Sequence, residues 1–157
     1  SKKLVSRIIL DPSDIYSSNV YIDSGLKHGI SYNAPVFNEN GFLGRVIDVA
    51  ESISEVLLIS DPRSSLPVIS EISKIKFFVE GNFENLKIKH KSSDADFIDG
   101  ESVISTGASG YFKSGIIVGR IKMINQKIRV IPNAKKNDSV YVMTLGYDLL
   151  RKYPEIE

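Results

Sequence analysis

Val36-Phe37-Asn38-Glu39-Asn40-Gly41-Phe42-Leu43-Gly44-Arg45-Val46-Ile47 is the stretch on which the fold turns. Apolar residues flank Asn40-Gly41, and both of those residues tolerate the positive φ that a two-residue type I′ turn demands. The segment reads as a β-hairpin over residues 36–47. Strand signals continue on both sides of it. Val20 and Ile22 alternate with Tyr21 and Asp23, and Leu86 and Ile88 alternate with Lys87 and Lys89, the period of a half-buried strand. Residues 56–59, 77–79, 102–105, 116–123, 127–131 and 140–143 complete a set of about ten strands.

Composition agrees. The 157 residues hold 21 Ile and 13 Val but only 5 Ala, and β-branched side chains suit a pleated surface while Ala suits a helix. Turn clusters punctuate the strands at residues 11–13, 25–29, 61–62, 81–82, 99–100, 107–110, 125–126 and 133–138. Residues 48–58 and 94–97 offer at most short helical turns, and 147–153 a frayed turn ahead of Pro154. The fold class is all-β, a sandwich or small barrels. The polar run 87–96 points to two modules, 1–80 and 81–145, with 146–157 as a tail and the terminal strands free to cross between modules.

Composition also removes whole classes of function. Twenty basic residues against nineteen acidic ones give a formal charge of +1, far from the basic excess that neutralises a nucleic-acid backbone. Without cysteine there is no disulfide framework, thiolate metal site or cysteine nucleophile, and with His28 and His90 alone a histidine-rich metal site is excluded. The longest apolar runs, such as Val56 to Ile59, stop at four residues, so nothing here spans a membrane. The chain opens on Ser1-Lys2-Lys3 with no initiator Met or signal-like apolar region and reads as an excised piece.

Serine catalysis is the enzymatic reading to test, because Ser105-Thr106-Gly107-Ala108-Ser109-Gly110 looks like a glycine-flanked nucleophile. Its base would have to be His28, inside the turn 25–29, or His90, at the end of a charged strand. Each is better explained as an exposed histidine. Asp94 with Asp96 and Asp99 with Glu101 pair carboxylates without the further oxygens that a calcium site or a glycosidase needs. The absence of Trp disfavours a carbohydrate platform. Among the aromatics, Tyr111 and Phe112 follow a glycine loop, and Tyr111, Phe112, Tyr32 and Phe42 are candidates for a protein interface. Gly25, Gly29, Gly41, Gly44, Gly107, Gly110, Gly115 and Gly119 are candidates for turns and close backbone contacts.

Three runs in register carry a resemblance. Ile22-Asp23-Ser24-Gly25 through Gly29, continuing to Ala34-Pro35-Val36 and Gly41-Phe42-Leu43-Gly44-Arg45-Val46, is the first. Leu57-Leu58-Ile59-Ser60-Asp61-Pro62 to Leu66-Pro67-Val68 is the second, and Asp99-Gly100-Glu101-Ser102-Val103-Ile104-Ser105-Thr106-Gly107 with Gly110-Tyr111-Phe112 and Gly115 to Ile121 the third. Together they resemble the rod shape-determining protein MreC family over residues 20–121. Lys113 stands where that family usually has Pro, Glu101 where it has Asp, and Asn33 where it often has Gly.

The resemblance implies two small β-barrels, distantly like the trypsin arrangement but without a catalytic triad; a chymotrypsin-like serine protease or a degenerate relative is the alternative. It also implies a non-enzymatic scaffold of cell-wall elongation, needing no cofactor, which favours the active state of its synthases. The region would be periplasmic, on the outer face of the inner membrane, behind an N-terminal anchoring helix and a dimerising coiled coil absent from this sequence. Its implied partners are a second copy of itself as homodimer or filament, RodA and the elongation-specific class B penicillin-binding protein, with MreB and MreD reached through the missing N-terminal part.

Overall fold

The computed structural model describes residues 2–10, 19–108 and 114–146. Twelve β-strands run through them: β1 Lys2–Ile9, β2 Asn19–Ile22, β3 Pro35–Asn38, β4 Gly41–Val49, β5 Ser54–Leu58, β6 Ser65–Ser70, β7 Lys76–Asn82, β8 Asn85–Lys89, β9 Ser102–Ser105, β10 Ile117–Ile124, β11 Lys127–Pro132 and β12 Tyr141–Gly146. Among the described residues the helical element is one 3₁₀ turn, Leu26–His28, inside the glycine-bounded turn 25–29.

The strands close into two barrels of six, ordered β1-β12-β3-β4-β5-β2 and β10-β11-β8-β7-β6-β9. Closure removes the sheet edges that would otherwise template aggregation. Alternation places the cores. In β7, Phe77 and Val79 point inward and are buried while Lys76 and Phe78 face out. Val20, Ile22, Val36, Leu43, Val46, Val56 and Leu58 fill the first barrel, and Leu66, Val68, Phe77, Val79, Leu86, Val103, Ile121 and Val130 fill the second.

Three expectations are corrected. The barrels do not part at residue 80, because β6 and β7 belong to the second barrel; the terminal strand β12 does cross back to complete the first, as the sequence allowed. The parting lies at the β5–β6 connection, where Ile59 leaves the first wall for the second core. Polar composition at residues 87–96 marks only the exposed outer face of β8 and the loop beyond it.

The hairpin β3–β4 is present, but its loop is Glu39-Asn40, with Asn38 paired to Gly41. Asn40 does not take positive φ there; its N–H donates to Asn38 Oδ1 at 2.8 Å, which turns the chain through a side chain. The two consecutive residues of positive φ that suit a type I′ turn occur instead at Asn125 (47°) and Gln126 (66°), between β10 and β11. Gly41, with φ at 137°, opens β4 against the second barrel, and a Cβ there would stand 2.4 Å from the carbonyl oxygen of Ile117 in β10.

That close approach explains the next pair of residues. Phe42 and Leu43 are both buried, at 2 % and 1 % exposure, although neighbours in a strand point to opposite faces. Leu43 enters the first core and Phe42 enters the second. Phe42 was a candidate for a partner interface; it is instead the side chain by which one barrel packs into the other.

Both connections between the barrels are pinned. In the first, Asp61 accepts hydrogen bonds from the Arg63 backbone N–H (2.7 Å), Nε (3.1 Å) and Nη2 (2.9 Å), and this pairing holds its carboxyl below the usual value. Gly81 lies against the same turn, so tightly that a Cβ would meet the Asp61 carbonyl oxygen at 1.9 Å, and Phe83 N–H donates to Ser60 O at 2.8 Å. In the second, Asp138 Oδ2 accepts from Asn40 Nδ2 (3.0 Å) and Lys135 N–H (2.8 Å), tying the return strand's approach to the β3–β4 hairpin.

Phe42→Ala is expected to cost about 3–5 kcal/mol in urea denaturation, the range for emptying a buried aromatic site, and Phe42→Leu clearly less. A loss within 0.5 kcal/mol or so for the alanine variant would place the ring at the surface.

Candidate functional site

The described residues weighed for serine catalysis have structural partners. His28 Nδ1 accepts the Gly25 N–H at 3.0 Å, closing the 3₁₀ turn on itself. His90, at φ 55°, sits edge-on to Phe78 with ring centroids 5.9 Å apart. Ser105 is buried, its Oγ accepting the Ile116 N–H at 3.0 Å. Ser109 lies outside the described residues. Among the described residues no three His, Asp or Glu side chains gather as a metal would require.

Glu101 is the buried charge of the second barrel, 3 % exposed. Burial works against its ionisation, but Oε1 accepts the N–H groups of Ile72 (3.0 Å) and Ser73 (2.9 Å), and Oε2 accepts Ser73 Oγ–H (2.8 Å) and Ile98 N–H (2.6 Å). The donors prevail and hold the carboxyl below its ordinary value. The side chain thereby ties the turn between β6 and β7 to the start of β9. The length of the Glu101 side chain lets one carboxylate oxygen reach both Ile72 and Ser73.

The three strands that Glu101 fixes carry an outward-facing groove. Pro67 pairs with Phe78, Ile69 pairs with Lys76 on one side and with Ile104 on the other, so these outward side chains share one face of the wall. They line a largely apolar groove of about 580 Å³, with His90 and Lys76 among its polar members and Thr106, Ala108 and Ser114 along it. Phe78 is 39 % exposed within it. An apolar floor of this kind suits side chains of another protein.

The remaining candidates are dispersed. Tyr32 is 61 % exposed on the first barrel, beside Asn33, whose positive φ (68°) fits the place where glycine is usual and whose Oδ1 accepts Arg45 Nη1–H at 2.7 Å. Tyr111, Phe112 and Gly110, like Lys113, lie outside the described residues. Gly44 and Gly119 stand in strand walls where an added Cβ would meet the carbonyl oxygens of Leu57 (2.2 Å) and Ile131 (2.1 Å); Gly25 lies equally close to Ala50. Gly29, Gly107 and Gly115 have positive φ in turns. The groove went unnoticed in the sequence because Pro67 and Ile69 sit in β6, which had no clean alternation, and the structural role of Glu101 was missed because its pairing with Asp99 in sequence gives no sign of the backbone N–H groups of Ile72, Ser73 and Ile98 that it accepts from.

A profile described as "Rod shape-determining protein MreC, barrel core" matches residues 8–145. The chain belongs to the MreC family. The cell shape-determining protein MreC of Escherichia coli is 30 % identical over 139 residues, covering 85 % of this chain and 38 % of that protein. That of Haemophilus influenzae is 26 % identical over 126 residues, 79 % of this chain and 36 % of its own. The chain thus spans less than two-fifths of these relatives. Among solved structures, MreC from Pseudomonas aeruginosa superposes with a TM-score of 0.81 at 28 % identity, over 92 % of this chain and 99 % of that one. The MreC chain in a complex with penicillin-binding protein PBP2 from Helicobacter pylori shares the fold at a TM-score of 0.65 and 16 % identity, over 91 % of this chain and 98 % of that one. The relatives are named for cell shape, and the two-barrel architecture is that of the family.

Glu101→Gln is expected to lower stability at neutral pH by about 2 kcal/mol, since it breaks hydrogen bonds to a buried charge. The stabilisation from a carboxyl with lowered pKa is complete above its ordinary value of 4.5 and disappears as pH falls through the lower folded value, so the gap between variant and parent closes in acid. Urea midpoints measured from pH 7 to pH 3 check this; a gap that stays constant would contradict it.

Proposed function

We propose that this chain is a non-enzymatic scaffold of the cell-wall elongation machinery on the periplasmic side of the inner membrane, held there by an N-terminal anchor outside this sequence. It binds the elongation-specific class B penicillin-binding protein and favours its active state. The apolar groove between β6, β7 and β9 receives that partner. The observation that carries this reading is an apolar outer wall, braced from within by Glu101, in a family one of whose members has been solved with PBP2.

A scaffold of this kind transforms nothing. To shift a synthase between two conformations it needs only a difference in affinity for them, on the order of 1–3 kcal/mol. Rigidity matters more than reactivity, because a loose surface loses binding energy to ordering. Self-association, RodA, and contacts with MreB and MreD through the preceding segment belong to the same proposal; the description of another family member, 22 % identical, as a filament is in keeping with self-association.

Ile69→Asp and Ile104→Asp are expected to weaken capture of the purified class B penicillin-binding protein by about tenfold or more, the cost of a charge placed in an apolar contact. Thermal melting of the variants alone controls for folding. Undiminished capture by folded variants would remove the groove from the partner surface.

A further inference from the structure

The outer wall of the second barrel has another face, formed by β8, β10 and β11, and it is basic. Register brings the charges together. Lys122 in β10 stands opposite Arg129 in β11, and the Val130–Leu86 pair that joins β11 to β8 sets Arg129 beside Lys87. Lys127 and Lys89 lie two residues further along the same two strands, on the same face. Five cations therefore cluster on three adjacent strands of a chain whose formal charge is only +1.

The fold does not explain the juxtaposition of Arg129 with Lys122 and Lys87. Like charges opposite one another across a ladder cost stability instead of adding to it. Neutralisation is partial: Glu80 in β7 pairs with Lys87 across the ladder and its Oε2 lies 3.9 Å from Lys89 Nζ, while Lys87, Lys122, Lys127 and Arg129 have no carboxylate within 4.0 Å among the described residues. Arg129 spends Nη1 on the carbonyl of its neighbour Ile128.

We infer that this face is a docking site for an extended acidic segment of a protein partner, lying along β8 and β11. Spacing argues for a polypeptide. Lys87 with Lys89, and Arg129 with Lys127, repeat every second residue, about 6.6–7 Å along a strand, and carboxylates at every second residue of an extended chain repeat at the same distance. Relief argues against a flat surface. Lys87 and Arg129, in the middle of the row, are half-buried, whereas Lys89, Lys122 and Lys127 stand exposed around them. A chain reaches into such a row, and a planar array of lipid headgroups meets only its rim. The face adjoins the apolar groove at one edge, where Lys89 pairs with Phe78, and from there its row of cations runs along β8 and β11.

The test uses a fluorescent peptide with Glu at every second position and Ser between, its Gln counterpart, and vesicles of phosphatidylglycerol. The Glu peptide is expected to bind with an affinity that falls as salt is raised, the Gln peptide not to bind, and Lys87→Glu with Arg129→Glu together to weaken the Glu peptide by about tenfold or more. Lys87→Gln with Arg129→Gln is a gentler second pair, and unchanged melting shows that either pair folds. Hydrogen exchange slowed by the peptide at residues 87–89 and 127–129 locates it on the face. Equal binding of the Glu peptide by parent and folded variants, no binding of it at low salt, or capture of the vesicles in preference to it would overturn the inference.

Discussion

One aromatic ring joins the two halves of this molecule. Phe42 leaves the wall of the first barrel and is buried among Leu66, Val68, Phe77 and their neighbours in the second. It reaches them because its neighbour Gly41 has no side chain to hold β4 away from β10. The ring is buried only while the barrels touch, so its hydrophobic free energy belongs to the pair and to neither barrel alone. The two connections reinforce the same contact at its sides. Asp61 and Gly81 tighten one, Asp138 and Asn40 the other, each through hydrogen bonds or backbone packing that leaves little freedom to hinge.

Rigidity of this kind would serve the proposed scaffold role. The groove on β6, β7 and β9 and the basic face on β8, β10 and β11 occupy one closed barrel, whose outline is set by strand register and by Glu101. Surfaces held in fixed relation can be engaged together, and a second contact made by an already bound partner gains from raised effective concentration. Both surfaces suit side chains that others bring, one apolar and one acidic, so a chain of nearly neutral net charge and without cysteine can still be selective.

Much of this was legible before any coordinates. β-Branched residues, period-2 alternation and glycine-rich turns specify strands by local physics, and the ordered glycine motifs led to the family and so to two barrels. What stayed hidden is non-local. Asn40-Gly41 carries a two-residue turn signal, yet Gly41 serves a neighbouring barrel that no local pattern announces, and the turn moves one residue back. Phe42 has the composition of an exposed hairpin anchor and becomes a core residue for the same reason. β1 and β6 were missed because Lys2-Lys3 and Pro67 interrupt their patterns, and the boundary slipped because β6 pairs with β9, far along the chain, and carries β7 with it into the second barrel. The cationic face needs the β8–β11 pairing to exist at all, and one ladder contact, Val130 with Leu86, creates it.

If the barrels share a core through Phe42, they share a melting transition. Scanning calorimetry of the parent chain is expected to give a single endotherm whose calorimetric and van't Hoff enthalpies agree, both barrels unfolding as one unit. Two resolved transitions, or a van't Hoff enthalpy near half the calorimetric one, would show two independent bodies and contradict the shared core.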